Sequence, residues 1–264
     1  MAATKEQKKL FGQKILPYKD RIEELDSELK KLDAMARKNT GIRDYIEIKK
    51  ASVVVQKCNV LVAMARLSSE IQNLKNDTHL NDARKLLSNS VNALNKIVGE
   101  HIDTSLTESS EGALKLNKLT PDIKFRLFSA IKNTAVEISD ELGQNHKWRW
   151  SFPDLHYKIT IFGRNLFDFK EFDRIKDPNE TFYRIRQEYL QMIVDEAHFT
   201  AQEFRSRFEL STKDVSDLFA IRRVLECMKQ IFVLTGNQTE LQKTQTAIDA
   251  NEEKIESLGK KKSK

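Results

Sequence analysis

The sequence predicts an all-α, elongated protein in which a coiled-coil-like helical arm joins a broader helical bundle. Three observations carry this. Only 8 glycines and 4 prolines are spread over 264 residues, too few breakers for the many tight turns of a β-sandwich. Charged residues are 32% and hydrophobic ones 39%, above the disordered range but below a compact enzyme. And the apolar residues recur at alternating steps of three and four, which places them on one stripe of a helix.

The first stripe is Phe11, Ile15, Tyr18, Ile22, Leu25, Leu29, Leu32 and Ala36. Pro17 interrupts it, so the helix either kinks there or starts there with the proline in its first turn. Asn39, Thr40 and Gly41 end it. A second helix is expected from about Ile42 to Lys75, with Ile46, Val53, Val60, Leu67 and Leu74 seven apart and Lys50 and Lys57 making its early seam polar. NDTH (76–79) leads to a third helix with Leu80, Leu87, Val91, Leu94, Val98 and Ile102. Short links between long helices imply antiparallel neighbours, so residues 1–103 read as a helical hairpin or three-helix arm.

TSLTESSEG (104–112) is rich in Ser, Thr and Glu, and residues 104–119 read as a flexible joint. Residues 120–258 read as an aromatic-rich helical body and 259–264 as a basic tail. Within the body, Thr120-Pro121 starts a helix that Gly143 closes. For 148–162 two patterns compete. Leu155, Tyr157, Ile159 and Ile161 alternate as in a strand, while Leu155, Ile159, Phe162, Leu166 and Phe169 fit a helix; the longer helical pattern is preferred. Asp177-Pro178-Asn179-Glu180 reads as a helix start for a segment reaching Arg207. Its apolar residues cover a wide arc, as in a helix packed on two sides. Ser211 and Thr212 read as the cap of the next helix, closed by Gly236. The last helix, with Leu241, Ile248 and Ile255, is too sparse to stand alone and must dock or fray.

The net charge is +6, but Lys5, Lys8 and Lys9 against Glu6 give +2 and Lys260, Lys261, Lys262 and Lys264 give +4, which leaves the body neutral. A nucleic-acid binder carries such charge on its folded surface; here it sits in ends expected to fray. Cys58 and Cys227 lie in apolar helical contexts and read as buried, unpaired thiols. No run is apolar enough to span a membrane or serve as a leader, which favours a cytoplasmic protein or one whose leader has been removed.

No reaction chemistry is legible, and an enzyme is not expected; no catalytic, cofactor-binding or metal-binding residue is assigned. DEAH at 195–198 spells a helicase box but lacks a phosphate-cradling loop. Asp195 and His198 copy half of a di-metal carboxylate site without a second copy. More informative is the crowding of aromatics: 14 of 21 lie between Trp148 and Phe208. Phe162, Phe169, Phe199 and Phe204 are the expected core. Lys147-Trp148-Arg149-Trp150 falls off every helix stripe, and Trp and Arg are enriched in interface hot spots. Trp148, Arg149 and Trp150 are therefore the candidate partner-binding residues, with burial in the core as the competing reading.

KWRWSFPDLHY, the FYRIRQEYLQMIVDEAHFTAQEFRSRF helix and the terminal GKKKSK, set beside the lysine-rich arm, resemble the flagellar coiling proteins of the spirochaete flagellar sheath. That resemblance implies a non-enzymatic, elongated helical subunit of a filament sheath, with a role in motility, in the periplasm. Its partners would be filament or sheath subunits. The alternative from the residues alone is a helical adaptor held to anionic membrane or nucleic acid by its lysine-rich ends.

Overall fold

The computed structural model describes residues 3–143 and 145–262, with only the backbone of Lys261 and Lys262. The chain is all-α, with no strand among the described residues. It divides into two units, each discontinuous in sequence: Met1–Ile97 with Ser129–Arg149, and Val98–Phe128 with Trp150–Lys264.

The first unit opens with α1 (Lys5–Lys14), held by a capping box in which Thr4 and Gln7 exchange hydrogen bonds. A single residue, Ile15, separates it from α2 (Leu16–Lys38), which carries Pro17 in its first turn. Proline has no N–H to give the carbonyl four residues back, so the helix restarts rather than continuing. A 3-10 turn (Thr40–Ile42) leads to α3 (Arg43–Gln72). Leu25, Leu32 and Ala36 of α2 pack on Ile46 and Val53 of α3, flanked by Leu29 and Val60. Lys57 pairs with Asp26 and Lys50 with Asp33 at 2.8 Å. Residue numbers rise on α2 as they fall on α3, so the two helices are antiparallel. The two lysines that make the early seam polar thus reach carboxylates on the neighbouring helix.

α3 buries a second side as well, including Ile48, Val55, Cys58 and Val62. Cys58 donates to the Ala83 carbonyl on α4 (Asp77–Val98), and Thr134 on α6 (Pro121–Leu142) donates to Asn59. α3 ends at Asn73, whose φ of 52° is the left-handed conformation that terminates helices.

In the second unit, residues 104–112, read from the sequence as part of a flexible joint, are largely helical: α5 runs Leu106–Lys115. The reason was present in the letters. Ser105 and Glu108 form a reciprocal capping box, Ser109 and Ser110 are buried, and Gly112 lies so close to the second unit's Val98 that an added Cβ would stand 1.9 Å from its carbonyl oxygen. α6 starts at Pro121 as predicted, and Gly143 follows it at φ 74°. The ambiguous stretch is helical: a 3-10 turn (Arg149–Ser151), then α7 (Phe152–Leu166). The short α8 (Phe169–Arg174) follows, capped by Asp168.

Two predicted helix starts are displaced. Asp177 spends its carboxylate on the Asn179 backbone N–H (2.9 Å) and side-chain amide (3.0 Å), closing a local turn. α9 therefore begins later, at Tyr183, and runs to Arg207. Ser211 and Thr212 do not cap the next helix either; they end a π-helical turn (Phe208–Thr212), and Asp214 caps α10 (Val215–Thr235) by accepting from Ser216 N–H. α9 packs on both α7 and α10, the two-sided burial its wide apolar arc predicted. α11 (Gln238–Lys262) docks on α10 through Ile248, with the buried Asn251 amide donating to the Leu218 carbonyl at 2.9 Å.

Neither charged end is frayed along its described part. α1 is helical from Lys5 and α11 continues to Lys262, while Ser263 and Lys264 of the basic tail lie outside the described residues. Cys58 and Cys227 are buried and unpaired.

Candidate functional site

Two groups of aromatic residues stand out. Ten aromatics are buried in the core of the second unit. Tyr189 is enclosed, its ring 5.4 Å from Phe128 and 5.2 Å from Phe167, and its hydroxyl donates to the Gly163 carbonyl at 3.2 Å. Burial pushes that hydroxyl's pKa well above its usual value. Gly163 is required here, since a Cβ would come within 2.3 Å of the Phe128 ring. Phe162, Phe169 and Phe204 are buried as expected. Phe199 is not: it is 38% exposed, with its ring against His156 at 4.7 Å.

The second group is the segment singled out in the sequence. Trp148, Arg149 and Trp150 are each half-buried, neither core nor free surface. Trp148 and Arg149 close the first unit and Trp150 opens the second stretch of the other. Trp148 donates its backbone N–H to His146 Nδ1 at 2.9 Å, and Lys147 Nζ lies 4.4 Å from its ring centroid. Burial, then the nearby Lys75, holds the His146 imidazole below its usual pKa range, which favours the neutral ring that can accept this bond.

Trp150 is fixed from α9 of its own unit. Arg207 Nη1 donates to the Trp150 carbonyl at 3.0 Å and to Asp154 at 2.7 Å, while Nη2 donates to Asp217 at 2.6 Å. Asp217 is 1% exposed and also accepts from Thr212 Oγ1 at 2.6 Å. One guanidinium thus ties the start of α7, the π turn and the start of α10 together. Sequence reading missed it, because its partners are 10 to 57 residues away.

Two polar constellations of the second unit were also not foreseen. His156 on α7 and Glu196 on α9 meet at 2.7 Å with almost no exposure, beside a Thr160–Thr200 hydroxyl pair at 2.9 Å. Glu196 belongs to the DEAH letters, and its place is a buried helix contact. Asp195 beside it is exposed and accepts from Gln191, and His198 is exposed. Among the described residues no group of three or more His, Cys, Asp or Glu stands close enough to hold a metal ion.

The other constellation lines a cleft of about 660 Å³. Lys124, in the first turn of α6, is 8% exposed and donates to the Ala113 carbonyl at 3.1 Å. Burial lowers its pKa, against the pull of Asp168 and Glu171. Arg186, in the first turn of α9, is 6% exposed. Its Nη2 meets Glu171 at 3.1 Å, its Nη1 stands 3.6 Å from Glu180, and Nε and Nη1 have no hydrogen-bond partner. A cavity of about 20 Å³ adjoins the same two cations, room for one water.

Among the described residues no helix is long and apolar enough to cross a membrane. Among curated proteins there is no match. A chain from a solved structure described as "Computational Design of Self-Assembling Cyclic Protein Homooligomers" is 15% identical, over 90% of this chain and 96% of its own. Its TM-score of 0.32 is too low to support an argument about fold or function. The TP0443 family model matches residues 7–258, nearly the whole chain. Its designation is a Treponema one, which fits a spirochaete family without extending to flagellar coiling or sheath proteins. The chain belongs to the TP0443 family.

Proposed function

We propose that this chain is a non-enzymatic structural or assembly protein that binds other proteins through Trp148, Arg149 and Trp150. The observation that carries this is the half-exposed state of both tryptophans, the two largest side chains available, side by side with an arginine on a segment between helices, while ten of the other nineteen aromatics are enclosed. Keeping an indole partly in water forgoes on the order of 1–2 kcal/mol of burial, and Arg207 anchors the Trp150 backbone in place. A preformed aromatic contact loses little side-chain entropy on binding. The finer form of the reading is a filament or flagellar sheath subunit in the periplasm, to which a Treponema-designated family lends support. Charged helices with thin seams suit a lattice, where many weak contacts add.

The test is affinity capture from native cells with the wild-type chain and the Trp148→Ala/Trp150→Ala variant, at low and high salt, after circular dichroism shows both are folded. Salt-resistant capture of filament or envelope proteins, lost in the variant, is the expected result. Capture that ignores the variant removes these residues from the interface. If it also vanishes with salt, binding belongs to the lysine-rich ends.

A further inference from the structure

The Lys124–Arg186 cleft has the marks of a ligand site independent of the tryptophan segment. Its volume, about 660 Å³, lies in the range of small-molecule pockets. Four cations, Lys124, Lys170, Arg174 and Arg186, face three carboxylates, Asp168, Glu171 and Glu180, so the wall carries a net positive charge. Leu114, Leu119, Pro121 and Phe182 supply apolar surface beside them. The first turn of α6 also borders the space, and the positive end of a helix favours an anion there.

The decisive feature is Arg186. A guanidinium this deeply buried is costly unless its donors are filled. Glu171 fills one nitrogen at 3.1 Å. Glu180, on the turn before α9, approaches Nη1 only to 3.6 Å, beyond hydrogen-bond reach, and Nε has no acceptor. Glu180 is itself the more exposed partner, 38% against 7% for the arginine side chain. Its carboxylate therefore stands at the cleft as a loosely held acceptor that an incoming oxyanion could replace, whereas Asp168 is committed to capping α8.

We propose that this cleft binds a small organic carboxylate with an apolar body, whose carboxylate takes over the position that Glu180 holds on Arg186. Lys124 provides the second positive charge, and the Leu114, Leu119 and Phe182 side receives the apolar part. A ligand of this kind fills donors that the protein leaves open and covers apolar wall that the protein leaves wet.

The experiment is titration of the full chain with sodium hexanoate, followed by amide chemical shifts and calorimetry, with 1-hexanol and inorganic phosphate as comparison probes. Saturable hexanoate binding is expected, with shifts confined to residues near 113–124, 168–174 and 180–186. Glu180→Gln removes the internal competitor and should tighten binding roughly threefold to tenfold. Arg186→Gln should abolish it; if that variant does not fold, the Glu180→Gln comparison still decides. Absence of saturation up to about 10 mM in both wild type and Glu180→Gln overturns the proposal. So does equal binding of 1-hexanol, which would make the site merely apolar, or equal binding of phosphate, which would leave the apolar wall without a role. Unchanged affinity in Glu180→Gln would show that Glu180 does not compete, and would also overturn it.

Discussion

The side-chain oxygen of Ser110 accepts the backbone N–H of Phe169 at 3.1 Å. It also accepts from Lys170 at 3.3 Å and donates to the Leu106 carbonyl at 2.9 Å. A fully buried hydroxyl on α5 thereby satisfies donors at the start of α8. Replacing Ser110 with Ala strands those N–H groups away from water. The expected loss is about 1–2 kcal/mol, read as a lower midpoint in urea unfolding with an unchanged helical signal at zero denaturant.

Gly112 and Gly12 make a controlled pair, because both are helical glycines. At Gly112 a methyl group would collide with the Val98 carbonyl, and at Gly12 nothing lies within 4 Å. Gly12→Ala should raise stability by about 0.5–1 kcal/mol through helix propensity. Gly112→Ala must push two backbones apart and should lower the melting temperature of the second unit clearly. Equal effects of the two substitutions in differential scanning calorimetry would mean that the α5 contact with Val98 is not formed.

Arg207 and Asp217 form the most enclosed charge pair with an arginine in the second unit's hydrogen-bond network around Trp150, at 13% and 1% side-chain exposure. Removing one partner leaves the other uncompensated. Arg207→Met should cost about 3–5 kcal/mol, while Arg207→Met with Asp217→Asn should recover part of that loss. Because Arg207 also holds the Trp150 carbonyl, tryptophan emission should shift in the single variant. A double-mutant cycle by chemical denaturation, with emission recorded alongside, measures both.

Burial pushes the Cys58 thiol up to about 12 from 9.0. The folded protein then keeps its proton at a pH where the unfolded chain has lost it, so the unfolded state binds fewer protons between pH 9 and 12. Stability from this group is complete below about pH 9 and falls as pH rises through that window, by about 1.4 kcal/mol per pH unit at most. Cys58→Ala removes the thiol's share of the slope. Comparing the denaturant midpoints of wild type and variant at pH 8, 9 and 10 tests it, and a thiol reagent should reach Cys58 only after unfolding.

The helices of the first unit were legible because a stripe needs only local spacing. Leu25, Leu32, Ile46 and Val53 meet as their seven-residue recurrence requires. The helix that covers most of 104–112 had a local signal too: Ser105 and Glu108 spell a capping box within the run of small polar residues. At Asp177 the letters of a helix start were present, but the side chain closed its own two-residue turn instead. The Arg207 network and the Lys124–Arg186 cleft had no local signal at all. Their members come from α6, α7, α8, α9 and α10, and only the packing of those helices brings them together.

The discontinuity of the two units has a consequence for the order of synthesis. The first unit is assembled from residues 1–97 and 129–149, the second from 98–128 and 150–264. As the chain leaves the ribosome, the first unit's last residues emerge only after the second unit's opening segment is already outside. Phe128, fully buried at the end of that opening segment, must then wait for Gly163 and Tyr189, the partners its ring meets, 35 and 61 residues further along the chain. At elongation rates of about 5–20 residues per second, that wait lasts several seconds. During that time the nascent chain presents apolar surface whose only permanent cover has yet to be made.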